Sequence, residues 1–139
     1  MTRMSVTKEL SANDTGETGG HQAGILVPKQ KELLSFFPPL DARQYNPRVH
    51  IMFEDTAKER WEFAFIYYNN RNFGGTRNEY RLTRMTRYIR EAGLVEGDSI
   101  LLSRAEDGKY AITYKRKSEP HKDVGNVLKL RSGWRIIKI

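Results

Sequence analysis

At 139 residues, 38% of them hydrophobic, the chain has enough material for one core and too little for two, so residues 1–139 read as a single domain. Lysine and arginine number 24 against 17 acids, a net charge of +7, which is the electrostatic footprint of a protein that meets nucleic acid. Cysteine is absent and only His21, His50 and His121 are present, far apart, which excludes disulfides and thiol nucleophiles and leaves no metal or cofactor expected.

Strand patterns dominate the chain. Short strands are predicted near Ser5 to Leu10 and Gly24 to Val27. Pro28 followed by Lys29 to Phe36 fits a short helix that ends before Pro38-Pro39. Val49, Ile51 and Phe53 then alternate with His50 and Met52 ahead of a polar turn near Asp55-Thr56. From Trp61 to Tyr68 both faces of the period-two pattern are largely apolar, which predicts a central, buried strand. Thr83 to Ala92, closed by Gly93, reads as a second helix, with Met85, Tyr88 and Ile89 at helical spacing. Ser99 to Ser103 and Tyr110 to Tyr114 flank Glu106-Asp107-Gly108, a good hairpin connection. Val127 to Leu130 and Trp134 to Ile139 form another pair around Ser132-Gly133. These elements fit an all-β domain with two short helices, as an open barrel or an open sandwich. Lys115 to Lys122 is a basic loop, either an ordinary solvated hairpin end or a DNA contact. No apolar run is long enough to span a bilayer, and MTRMSVTKEL lacks a signal-peptide core, so a cytoplasmic, membrane-free protein is expected. No long apolar face suggests a dimer, and a monomer is the default.

Two polar segments carry the chemistry. Tyr67 to Arg90 holds six arginines (Arg71, Arg77, Arg81, Arg84, Arg87 and Arg90), no lysine, and one acid, Glu79. Arginine alone suits planar, two-pronged recognition of phosphate oxygens and the guanine edge. Glu79 can accept from the exocyclic amine of cytosine while a neighbouring arginine takes guanine, or it can pair internally and order the loop; both can hold together. The other segment, Ser11 to Gln22, is built of glycines and short polar side chains, suited either to close approach to phosphates and base edges or to a plain flexible turn. It is not a nucleotide-binding P-loop, because no Gly-Lys-Ser/Thr follows.

Taken together, SANDTGETGGHQAG and YYNNRNFGGTRNEYRLTR resemble the N-terminal effector domains of EcoRII-type restriction endonucleases, which belong to the B3-like DNA-binding pseudobarrels also found in plant transcription factors. The match is close from the first loop to Arg84; beyond it only LVEGDSILLSR fits the general B3 outline. The resemblance implies a seven-stranded open pseudobarrel whose N-arm, about residues 11–22, and C-arm, about 75–84, enter the major groove of double-stranded DNA at a CC(A/T)GG-type site. His21, Arg77, Glu79 and Arg81 fall on family positions tied to DNA binding. Two departures stand out: Gly75 replaces the family's lysine before Thr-Arg-Asn-Glu, and Tyr80 replaces a lysine after it. The resemblance then implies that some backbone contacts of the family are either lost or replaced, with Arg71 or Arg87 as candidates. Arg77 and Arg81 are candidate guanine readers, and Glu79 and Asp14 candidate cytosine acceptors. Asn13, Thr15, Thr18, His21 and Asn78 would mix base-edge and phosphate contacts, with Ser11, Gly20, Gln22, Arg71, Thr76, Tyr80, Arg84 and Arg87 completing the surface.

A nuclease acting by itself would need acids gathered around Mg²⁺, and the only set available is Asp98 with Asp107-Gly108-Lys109. Those acids sit where turns commonly place them. The chain is therefore expected to be a recognition module without a catalytic site, partnered by a nuclease domain in its parent enzyme. The alternative is a B3-like transcription regulator, which predicts the same binding with no nuclease partner.

Overall fold

The computed structural model describes residues 4–16, 24–118, 126–129 and 133–138. In chain order they form β1 (Met4–Glu9), α1 (Ala12–Thr15), β2 (Ile25–Val27), α2 (Lys31–Leu34), β3 (Arg48–Glu54), β4 (Arg60–Asn69), a 3₁₀ turn (Asn70–Phe73), β5 (Asn78–Thr83), α3 (Thr86–Ala92), β6 (Ser99–Arg104), β7 (Tyr110–Lys115), β8 (Asn126–Lys129) and β9 (Trp134–Lys138). One sheet holds all nine strands in the order β2-β5-β4-β3-β7-β6-β1-β9-β8. Its pairs are antiparallel except β3 with β7, a parallel contact of two residue pairs, Phe53 with Tyr110 and Glu54 with Ala111.

A single curled sheet decides between the two architectures in favour of the open pseudobarrel. The curl is visible at Trp134: its fully buried indole donates to the carbonyl of Leu26 at 2.9 Å and so ties β9 to β2 across the sheet. β4 lies between β3 and β5 and buries Phe63, Ala64, Phe65 and Ile66, as its two-faced apolar pattern predicts. Asp55 shapes the turn into it. Its carboxylate accepts from the indole of Trp61 and from the backbone N–H of Ala57 and Glu59. The Trp61 bond, ahead of the backbone donors and against desolvation, holds the Asp55 carboxyl below its ordinary range.

The two mouths of the barrel are plugged. At one, Phe36 and Phe37 follow α2 into the core, held by Arg104 and Tyr110, which both donate to the carbonyl of Phe36. At the other, α3 buries Tyr88 and Ile89, and Arg116 donates to the carbonyls of Ala92 and Gly93 at its C-terminus. An opposite charge at that end also complements the helix dipole.

Several expectations need correction. The sheet has nine strands among the described residues, not seven, partly because the end of the arginine-rich segment is itself a strand, β5. α2 is shorter than Lys29–Phe36: Gln30 caps it, its side chain accepting from Leu33 N–H at 2.8 Å, so Pro28 lies outside the helix. α3 starts at Thr86, because Thr83 belongs to β5 and Arg84 breaks the path with φ 67°. Two helical turns, α1 and the 3₁₀ turn, were not anticipated. Leu130 and Ile139, at the ends of the last expected strand pair, lie outside the described residues.

Candidate nucleic-acid interface

β5 pairs with β4 on one side and β2 on the other, so it cannot twist freely and its side chains alternate strictly. Tyr80 and Leu82 face inward. Leu82 is fully buried, and the Tyr80 ring stacks on Tyr67 at 4.3 Å and on Phe65 at 5.6 Å; Phe65 stacks in turn on Phe37 at 4.2 Å. Burial, and then the neighbouring Tyr67, push the Tyr80 hydroxyl above its usual pKa. Tyr80 thus fixes the root of the arm to the core, a structural task that the sequence did not single out. A lysine there would have to enter this stack.

Glu79 and Arg81 occupy the opposite face, with Arg77 entering just before the strand. Glu79 lies between the two arginines. One carboxylate oxygen is 3.6 Å from Arg77 Nη1, and the other accepts from Arg81 Nε at 3.0 Å and lies 3.0 Å from Arg81 Nη2. Arg81 also donates from Nη1 to the carbonyl of Gly24 at 2.9 Å. Its side chain is 20% exposed, that of Arg77 78%. The row is therefore asymmetric: Arg81 is locked by three contacts, while Arg77 makes one long ion pair with Glu79 and projects into solvent. Gly24 has φ +92°, and a Cβ there would approach Thr83 Cγ2 to 2.6 Å and Leu82 O to 2.7 Å, so only glycine allows β2 to lie this close.

The tip of the C-arm folds back on the 3₁₀ turn. Gly75 N–H donates to Asn70 O, and the Asn78 side chain accepts from Arg71 N–H at 2.9 Å and donates to Asn72. Asn78 is thereby engaged in holding the turn. A Cβ at Gly75 would meet Asn70 Cβ at 2.6 Å, so the lysine that family resemblance puts here could not be accommodated without shifting the turn. Arg71, Thr76 and Arg77 are exposed along this tip. Arg84, also exposed, lies 3.7 Å from Glu62, whose same oxygen is 3.1 Å from His50. Arg87 pairs with Glu91 one turn along α3 and covers the Trp61 ring at 5.2 Å.

The described part of the N-arm stands beside this face. Ser11 caps α1: its hydroxyl accepts from Asp14 N–H while the Asp14 carboxylate accepts from Ser11 N–H, and Gly16 ends the turn at φ 83°. Asp14 also meets Lys8 at 3.1 Å, with both side chains nearly buried, at 9% and 6% exposure. In the free chain, Asp14 is thus a structural acid that caps α1 and pairs with Lys8. Thr15 donates to Ala12 O, and Asn13 is exposed. Asn13, Asp14 and Arg81 line one open groove together with Lys8, Leu26 and Lys117, so the roots of the two arms converge as the sequence implies. Thr18, Gly20, His21 and Gln22 lie outside the described residues.

Sequence reasoning missed one organising residue. Asn69, fully buried at the end of β4, accepts from Asn46 N–H and donates to the carbonyls of Ala42 and Gln44, while Asn46 accepts in return from Asn69 N–H. Loop 41–47 is thereby fastened to the root of the C-arm. A polar residue closing an apolar strand gives no sequence signal of such a knot.

The nuclease set does not assemble. Asp98 is 2% exposed and accepts from the backbone N–H of Val95 and Lys117, at the opposite end of β6 from the hairpin that carries Asp107 and Lys109. Six residues of strand separate them, roughly 20 Å. Among the described residues no three of His, Asp and Glu gather as metal ligands. In the basic loop, Arg116 is committed to α3, and residues 119–122 lie outside the described residues.

The family described as "Restriction endonuclease EcoRII, N-terminal" matches residues 2–99. The type II restriction enzyme EcoRII of Escherichia coli is 46% identical over 82 residues, covering 55% of this chain and 20% of that enzyme. Auxin response factor 3 of Oryza sativa subsp. japonica is 30% identical over 112 residues, covering 81% of this chain and 14% of that protein. Among solved structures, the Arabidopsis FUS3-DNA complex shares the fold with a TM-score of 0.62 at 23% identity, over 81% of this chain and 96% of the other. The chain thus spans about a fifth or less of these two curated relatives. It matches along the stretch that carries both arm roots, and so belongs to the family of EcoRII N-terminal domains.

Proposed function

We propose that the chain is a sequence-specific double-stranded DNA-binding domain that reads a CC(A/T)GG-type site from the major groove with two arms. The observation that carries this reading is the Arg77–Glu79–Arg81 row on the solvent face of β5. A carboxylate held between two guanidinium groups presents acceptor and donor side by side, which is the pattern needed to read a cytosine beside a guanine. Arg81 spends its forks on Glu79 and Gly24, so its role is to orient the row, while the exposed Arg77 reads guanine. Arg84 and Arg87 supply phosphate contacts. The domain acts as the recognition or effector module of a restriction endonuclease, a monomer working in the cytoplasm, with cleavage performed by a nuclease domain elsewhere in the parent protein.

The test is a set of variants titrated against cognate and scrambled duplexes without Mg²⁺. Arg77→Ala and Glu79→Ala should each cost roughly 1–3 kcal/mol on the cognate duplex and little on the scrambled one, whereas Arg87→Ala weakens both alike. Equal losses on both duplexes for Arg77 and Glu79 would sink the base-reading assignment. The likeness to plant B3 proteins supports a second reading, a transcription regulator with the same binding. A neighbouring gene for a cytosine methyltransferase favours the restriction reading.

A further inference from the structure

We propose that loop 41–48 together with Phe73 forms a second DNA-contacting surface, which grips the sugar-phosphate backbone outside the recognised base pairs. The inference rests on the reading of the chain as a duplex-binding domain and adds a surface that neither arm supplies. Tyr45 and Phe73 are 61% and 52% exposed, yet they pack edge to face with ring centroids 5.2 Å apart. Two large rings left in water beside each other form an apolar patch that a monomer ordinarily covers. The segments that carry them are cationic. Segments 41–48 and 69–73 contain three arginines, Arg43, Arg48 and Arg71, against one acid, Asp41. Arg43 is 91% exposed, and although it forks onto Asp41, Arg48 and Arg71 are exposed as well. Aromatic rings set among guanidinium groups match the alternation of apolar sugar and anionic phosphate along a nucleic-acid strand. An acidic peptide would find the same charge but no use for a rigid aromatic pair at fixed spacing.

The loop is also preorganised for a task in register with base reading. Asn69 holds the carbonyls of Ala42 and Gln44, Asn46 is fixed at φ 46° by its reciprocal bonds with Asn69, and Pro47 O accepts from Tyr67 N–H. Tyr67 also stacks on Tyr80, between Glu79 and Arg81 on β5. Tyr67 therefore links the loop to the strand that carries the arginine row, so a duplex seated on the row would meet the loop at a set distance along its axis.

Two duplexes carrying the same CCTGG test this, one trimmed close to the site and one extended by roughly one helical turn on each side. The wild-type chain is expected to gain roughly tenfold in affinity on extension, from added phosphate contacts. Tyr45→Ser/Phe73→Ser and, separately, Arg43→Gln/Arg48→Gln should lose that gain while binding the trimmed duplex as the wild type does. A gain that survives both variants overturns the proposal, as does a wild-type chain with no gain, or an equal loss on both duplexes, which marks a merely structural role. Failure of the base-reading account looks different: the wild type would not prefer CCTGG over a scrambled duplex at either length. A length effect abolished by the variants would still assign the backbone contact to this loop.

Discussion

Two nearly buried charges pair at the root of the N-arm. Lys8 sits on the inward face of β1 with Met4, Val6 and Leu10, and Asp14 is its partner. Replacing Lys8 by Met keeps the volume and removes the ammonium that faces Asp14, so chemical denaturation should show a loss of roughly 3 kcal/mol, partly restored by adding Asp14→Asn. If Lys8→Met alone is neutral, the pair contributes nothing to the N-arm root. Asp98 makes a pH-dependent contribution. Burial raises its pKa, but N–H donors from Val95 and Lys117 and the charges of Arg116 and Lys117 outweigh it, and the net shift is downward. A carboxyl with a depressed folded pKa binds fewer protons in the native than in the unfolded state. Its stabilisation is therefore complete above the unfolded value, near 4, and is lost as pH falls through the folded one. Thermal melts at stepped acid pH should show a flatter profile for Asp98→Asn, with a lower Tm at neutral pH. Parallel profiles for the two proteins would contradict this.

At the scale of elements, β5 decides how the site is built. Its packing against β2 depends on Gly24, so Gly24→Ala should force the two strands apart and cost roughly 2 kcal/mol or more in stability. Because Gly24 O also holds Arg81, the same variant should lose preference for the cognate duplex more than its general affinity for DNA; a stable variant with unchanged preference would show that Arg81 needs no anchor. β4 was legible because both its faces are largely apolar over Trp61 to Tyr68 and rich in aromatics, the pattern of a central strand. β5 was not. Asn-Glu-Tyr-Arg-Leu-Thr offers just Tyr80 and Leu82 to the core, and its conformation comes from partners distant in sequence. The chemistry of the site was legible nonetheless, since Arg77, Glu79 and Arg81 alternate two apart and share a face in any extended chain. Their unequal freedom was not, because it depends on a carbonyl 57 residues away. The structural role of Asp14 was missed for a similar reason: Ser-Ala-Asn-Asp is also a capping box, and the inward lysine at position 8 was the signal that an acid would be needed nearby.

The whole molecule is a curled sheet that brings both arm roots to one rim and stiffens them against a single core. The stack Phe37–Phe65–Tyr80–Tyr67 runs from that core to the C-arm, and α1 rests beside α3 at the N-arm. Preorganisation of this kind lowers the ordering cost of binding, and so favours discrimination between sequences over mere attraction to phosphate. The decisive measurement is a fluorescence-anisotropy titration of the wild-type chain with a CCTGG duplex and a scrambled one, at two salt concentrations and without Mg²⁺. A preference for CCTGG of roughly a thousandfold or more, retained at both salts, is the predicted result. Equal affinity for the two duplexes, falling together as salt rises, would reduce the interaction to counterion release and contradict base reading by the arginine row.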